Sequence, residues 1–349
     1  MRLSFLLAAL CLAAPALAND GFGGLSATGL TFGQTEAIAM EEERLFIGLD
    51  RIDVDYVFRN LTDFDVTGEV IFPLPPVAVW SGYEAMMNLP EDLSSPDLVG
   101  FTATVDGRPV QVAIDRIAII EDGYDEENPP SKQYDNPGRD VTADLRRLGI
   151  PLTLEIEPVR DALLALAPAQ QAEAKTLGLA EFYPAGQGIS LEDEVYAGWS
   201  IVTRYHWTQT FPAGATVRIG HSYTNRPPGG VFYWTHPPED WQLYFKEQYC
   251  IDESTSKAMA KALVGSGGAE FGNTGTAYNI SYVLRTANSW AGPIGRFTLT
   301  LDKGDPRNVI SLCADGVRKT GPTTFVIEKT DYTPDRDLEI LVVQPLPRE

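Results

Sequence analysis

The residues best suited to chemistry are three histidines, His206, His221 and His236. Two alternating stretches, 199–211 and 215–224, flank Pro212-Ala213-Gly214. A two-residue turn at Ala213-Gly214 sets His206 directly opposite His221, with Cβ atoms about 5 Å apart. Two imidazoles that close suit a divalent metal, with His236, Glu239 or Asp240 as a third ligand. The same register puts the Trp207 ring over the bare backbone of Gly220. A three-residue turn abolishes the pairing, because one slip sends a side chain to the other face. The two histidines are then polar residues on a half-wet sheet face, beside Arg204, Thr208 and Thr210.

Other reactive patterns are thin. The acidic run 121–128 could hold calcium through hard oxygens, but it lacks the spacing of an EF-hand loop, and acidic runs are mostly just solvated. The chain has no Gly-x-Ser-x-Gly elbow, no His-Glu-x-x-His helix and no Cys-x-x-Cys. The Gly-rich stretch 265–275 lacks the lysine of a phosphate-binding loop and does not follow a strand. Aromatic residues gather at Phe232, Tyr233, Trp234 and Trp241, with Tyr244, Phe245 and Tyr249 close behind. They read either as a binding surface or as the core of a C-terminal region. Cys250 adjoins them. With Cys313 it makes the even pair expected of one disulfide in an exported chain, worth about 4 kcal/mol in the chain-entropy account.

Such residues need elements to position them. The 349 residues are 44% hydrophobic and 21% charged, a globular composition with room for roughly two domains. Forty-eight acidic against 27 basic residues give a formal net charge of −21. That disfavours nucleic acid and anionic membrane surfaces and favours basic or metal-bridged partners. Met1-Arg2-Leu3, the apolar Ser4–Ala14 and Ala16-Leu17-Ala18 make a leader expected to be cleaved after Ala18, which predicts a periplasmic or secreted protein. No later segment approaches membrane-spanning length.

Period-two alternation predicts strands. Leu45, Ile47 and Leu49 alternate, then Ile52, Val54, Tyr56 and Phe58, with a parity switch at Asp50-Arg51. Asp106-Gly107 between alternating runs is hairpin chemistry. Short helices are expected across 141–180, one ending at Gly149 and one opening at Pro168, and another from Glu253 to Val264. The expected fold is mainly β. Two antiparallel sandwich-like regions, 19–120 and 195–349, flank an acidic loop and helical insertion at 121–194, after a signal peptide at 1–18.

Several runs resemble a known family. Val54-Asp55-Tyr56-Val57-Phe58-Arg59-Asn60, Val70-Ile71-Phe72-Pro73-Leu74-Pro75, Tyr249-Cys250-Ile251-Asp252, Trp290-Ala291-Gly292-Pro293-Ile294, Ser311-Leu312-Cys313 and Gly321-Pro322-Thr323-Thr324-Phe325 are similar to the domain of unknown function 4424 family. The resemblance spans nearly the whole chain beyond the leader. It implies an exported bacterial protein and supplies no catalytic residue. Residues 45–90 are also similar to the start of vault/inter-alpha-trypsin (VIT) domains, which implies a β-sandwich interaction module. The resulting expectation is a non-catalytic binding or scaffolding module of the cell envelope, with a protein or envelope component as partner and no cofactor. A metal-dependent enzyme centred on His206 and His221 is the alternative. A factor that binds unfolded chains is a third reading and would need an exposed apolar groove.

Overall fold

The computed structural model describes residues 21–26, 29–32, 35–74, 76–79, 88–121, 138–186, 193–267 and 272–346. The expected leader and nearly all of the acidic loop lie outside them. The fold is mainly β, as expected. Among the described residues the strands form four sheets.

The central sheet has eight strands in the order Arg318–Lys319, Thr324–Tyr332, Ile294–Asp302, Ile38–Ile47, Arg51–Asn60, Thr216–Thr224, Thr102–Val105 and Arg108–Pro109. Neighbours are antiparallel except Ile294–Asp302 beside Ile38–Ile47, which are parallel. One row of side chains crosses six strands on the inner face: Ile327, Leu299, Leu45, Val54, His221 and Ala103, all buried. The opposite face is polar, with Arg296 on Glu42 at 3.1 Å and Arg51 on Asp53 at 2.8 Å. This is the one-face-buried arrangement that period two dictates.

Two sheets cover that inner face. A seven-stranded sheet runs Arg139–Asp140, Ala113–Ile120, Ser200–Phe211, Val66–Pro73, Gly21–Ser26 and Gly29–Phe32, with Val77–Ala78 also paired to Ser200–Phe211. It packs Val70, Phe72, Tyr205, Trp207 and Phe211 inward. A four-stranded sheet, in the order Gly229–Tyr233, Thr274–Tyr282, Leu338–Pro345 and Val309–Leu312, covers the other half. Its strand Leu338–Pro345 is buried on both faces. Ile340 and Val342 enter the main core, while Leu341 and Val343 meet Met259 and Leu263 of the helix Glu253–Leu263.

Local chemistry sets the turns. Asp106 and Gly107 both have positive φ (48° and 74°), as the expected two-residue hairpin requires. The parity switch is a tight turn between Ile47 and Arg51, closed by Gly48 N–H on the Arg51 carbonyl. Fully buried Asn60 donates to the carbonyls of Phe64 and Phe211, both at 2.8 Å, and accepts from Thr62. The helical insertion comprises Thr142–Leu148, Ile156–Leu164 and Pro168–Thr176, around a separate core of Val141, Leu145, Leu163, Leu179 and Trp199. Gly149 and Gly178 close helices in the left-handed conformation. Pro158 stands third in its helix rather than first. A short helix, Leu243–Gln248, precedes Glu253–Leu263 and was not expected.

Pro212-Ala213-Gly214 does not turn a hairpin. Ser200–Phe211 pairs with Val66–Pro73 and Ala113–Ile120 in one sheet, whereas Thr216–Thr224 pairs with Arg51–Asn60 and Thr102–Val105 in the other. The corner is fastened to the Asn60 turn instead, through Gly214 N–H on the Thr62 carbonyl and Ala213 N–H on Asp65 at 2.9 Å. It crosses between the two layers of the sandwich. Strands from both sides of residue 195 therefore share sheets.

Candidate functional site: a cleft beside the disulfide

The pairing of His206 with His221 does not form, because their strands lie in different sheets. His206 points away from the core, flanked along the strand by inward Tyr205 and Trp207, with Nδ1 3.7 Å from Glu69 Oε2. His221 points into the core, where its ring lies 5.0 Å from Phe72 and 5.4 Å from Phe101. The residues expected as a third ligand are engaged elsewhere. The His236 Nδ1 and the Ser256 hydroxyl are 3.0 Å apart, Glu239 accepts from the Trp241 indole at 2.9 Å, and Asp240 opens a 3-10 turn. Among the described residues, no group of three or more His, Cys, Asp or Glu is placed to hold a metal ion. The Ser256 hydroxyl also accepts from Trp234 Nε1 and is buried, so its contact with His236 secures packing and offers no accessible nucleophile.

The aromatic cluster divides by strand parity. Phe232 and Trp234 face inward and pack with Tyr249, Met259 and Leu263. Tyr233 is half buried and stacks on Trp241, which is 53% exposed. Of the four aromatic positions expected as a binding surface, only Trp241 lies mainly outside.

A concavity lies elsewhere, at the end of the molecule where the central and four-stranded sheets meet incompletely. Strand Thr324–Tyr332 contributes Phe325 and Ile327, and its neighbour contributes Phe297 and Leu299. Strand Val309–Leu312 contributes Ile310 and Leu312, with Leu338 beside them. Phe325, Ile310 and Leu312 are only half buried, since the layer that should cover them stops short. The result is an open cleft of about 900 Å³ with an apolar floor. That size suits a small-molecule ligand.

A disulfide forms one wall. Cys250 and Cys313 are joined with Cα atoms 5.0 Å apart, as the sequence predicted. The bridge ties the end of an edge strand to the segment that leads into the helix Glu253–Leu263. The Ser311 hydroxyl reinforces it by donating to the Tyr249 carbonyl at 2.9 Å.

Six charged residues stand on the cleft: Lys319, Lys329, Arg336, Asp252, Asp315 and Asp335. Five are exposed, and Lys329 alone is half buried. It shares the inward parity of Phe325 and Ile327 and lies opposite Phe297 in the ladder. Lys319 holds its ammonium 5.9 Å from the centre of the Phe325 ring. Asp252 is occupied as a helix cap, accepting from Thr255 N–H at 2.6 Å and from the Ser254 hydroxyl at 2.9 Å. Burial pushes the Tyr332 phenol up, with Asp335 and Glu43 adding to the effect, so it stays neutral at the cleft wall. No motif announced this site. The one trace in the sequence was a lysine at an inward position of an otherwise apolar alternation, Phe325-x-Ile327-x-Lys329.

The family model described as Domain of unknown function (DUF4424) matches residues 18–341. No curated protein matches the chain. A crystal structure of a "putative nutrient binding protein" from Legionella pneumophila is similar at 16% identity and a TM-score of 0.43, covering 93% of this chain and 71% of that one.

Proposed function

Because the chain belongs to the DUF4424 family, whose description assigns no activity, the function must come from the geometry, and we propose a non-catalytic binding module that acts outside the cytoplasm. One observation carries the reading: an open cleft of about 900 Å³, floored by half-buried apolar side chains of two sheets. Such a surface stays exposed at a cost of about 25 cal/mol per Å² unless something covers it. The disulfide on its wall fits an oxidising compartment, in keeping with the leader expected at residues 1–18.

The neutral fluorophore N-phenyl-1-naphthylamine tests the reading. It is expected to bind saturably at one site, with enhanced emission. Ala314 stands on the cleft wall in phase with Ile310 and Leu312. Ala314→Trp should fill the cleft and weaken the probe at least tenfold while the melting temperature holds. A parent protein that takes up no probe, or a variant that binds it as well as the parent, overturns the reading. Fusing residues 1–25 to alkaline phosphatase tests export separately: activity in the periplasm is expected, and activity confined to the cytoplasm refutes it.

A further inference from the structure

We infer that the cleft selects an amphipathic anion, a ligand with an apolar body and one carboxylate or phosphate head, and that Lys329 reads the head. The inference rests on the cleft being a ligand site and adds the class of ligand. The apolar part follows from the floor, where half-buried Ile310, Leu312 and Phe325 present side chains that only an apolar group can cover favourably.

The sign of the head follows from where the charges stand. Lys329 is the least exposed of the charged residues on the cleft and stands at an inward strand position, and its ammonium is stabilised when an opposite charge joins it. Among the described residues no carboxylate lies within 4 Å of Lys329, nor of Arg336 or Lys319. The acids on the cleft are placed otherwise. Asp252 spends its lone pairs on the helix cap, and Asp315 and Asp335 stand exposed on turns at the rim, where water screens them. A cationic head would therefore meet screened acids at the rim and be repelled by Lys329. An anionic head would meet Lys329, the least exposed charge of the cleft, while the exposed Lys319 and Arg336 are screened by water as the acids are. The surrounding net charge of −21 repels anions at long range. Selectivity must then arise inside the cleft at short range, where Lys329 stands.

Displacement of N-phenyl-1-naphthylamine tests the class with decanoate, decyl phosphate, decanol and decyltrimethylammonium, which share a tail and differ in the head. Both anions are expected to displace the probe at concentrations at least tenfold below decanol, the tighter of the two identifying the preferred head. The cation should displace it least. In Lys329→Met the advantage of the anions over decanol should fall below threefold, and Lys329→Arg should restore it. Raising the salt concentration should weaken the anions and leave decanol unaffected. If anions and decanol compete equally while the probe binds the parent, or if the cation competes best, the inferred class is wrong although the cleft remains a ligand site. If the parent binds no probe, the site itself fails. Should Lys329→Met not fold, Arg336→Gln at the exposed rim replaces it, with a partial loss of the anion advantage expected and an unchanged advantage counting against the inference.

Discussion

Asp252 shows how much one side chain does at the edge of the cleft. Its carboxylate takes the Thr255 N–H and the Ser254 hydroxyl at the start of the helix Glu253–Leu263, satisfying donors that the first turn leaves free. The Thr255 backbone first, then the Thr255 hydroxyl and Ser254, hold its carboxyl below the usual Asp range. A carboxyl depressed in the folded state contributes its full stability above the unfolded value, near pH 4, and loses it as the pH falls through the folded value. Asp252→Ala should therefore cost about 1 kcal/mol at pH 7, roughly 1–2 °C in a chain of this size. The gap between variant and parent in thermal melts should shrink steadily below pH 4. A gap that stays constant down to pH 2 would mean that the charge plays no part in the cap.

At the scale of elements, the cleft depends on the edge strand Val309–Leu312, whose ladder partner is Leu338–Pro345. It also packs against the helix Glu253–Leu263, and it is fastened by the disulfide at its end and by the Ser311 hydroxyl on the Tyr249 carbonyl. Replacing both cysteines, Cys250→Ser with Cys313→Ser, should cost about 2–4 kcal/mol. It should also raise amide exchange at 309–314 above that of the central strands, and weaken probe binding in the cleft. Uniform exchange across the molecule would show that the bridge stabilises the fold without shaping the wall.

Local elements of this kind were legible in the sequence. The Asp106-Gly107 hairpin and the helix stop at Gly149 follow from backbone conformations that few residues adopt, and φ is positive at each. The destination of a strand was not legible. Pro212-Ala213-Gly214 has the composition of a hairpin turn, yet here it is a corner between layers, because the flanking strands gain more from partners distant in sequence than from each other. His221, which alternation could place only on a face, thereby joins a row of core residues. The cleft was hidden for the same reason: Lys329 and Leu312 face one space only once two sheets, assembled from separate stretches, stop short of closing it.

The whole molecule is woven rather than strung. In the central sheet, Thr216–Thr224 pairs with Arg51–Asn60, and Ile294–Asp302 lies parallel to Ile38–Ile47, a contact reinforced by Arg296 on Glu42. Phe58 from the first half packs 4.4 Å, centre to centre, from Trp290 of the second. A chain cut at residue 195 would expose the apolar inner face of Thr216–Thr224 and the ladder edge of Ile294–Asp302 together, and neither fragment could rebuild them alone. Edges so exposed favour aggregation over folding. The full chain should thus unfold in one cooperative transition, whereas residues 195–349 expressed alone should show no melting transition by circular dichroism and collapsed amide dispersion by NMR. If that fragment instead melts cooperatively, with its Cys250–Cys313 bridge intact, the C-terminal region is a domain in its own right. The pairings to Ile38–Ile47 and Arg51–Asn60 would then be a docking surface between two folded units.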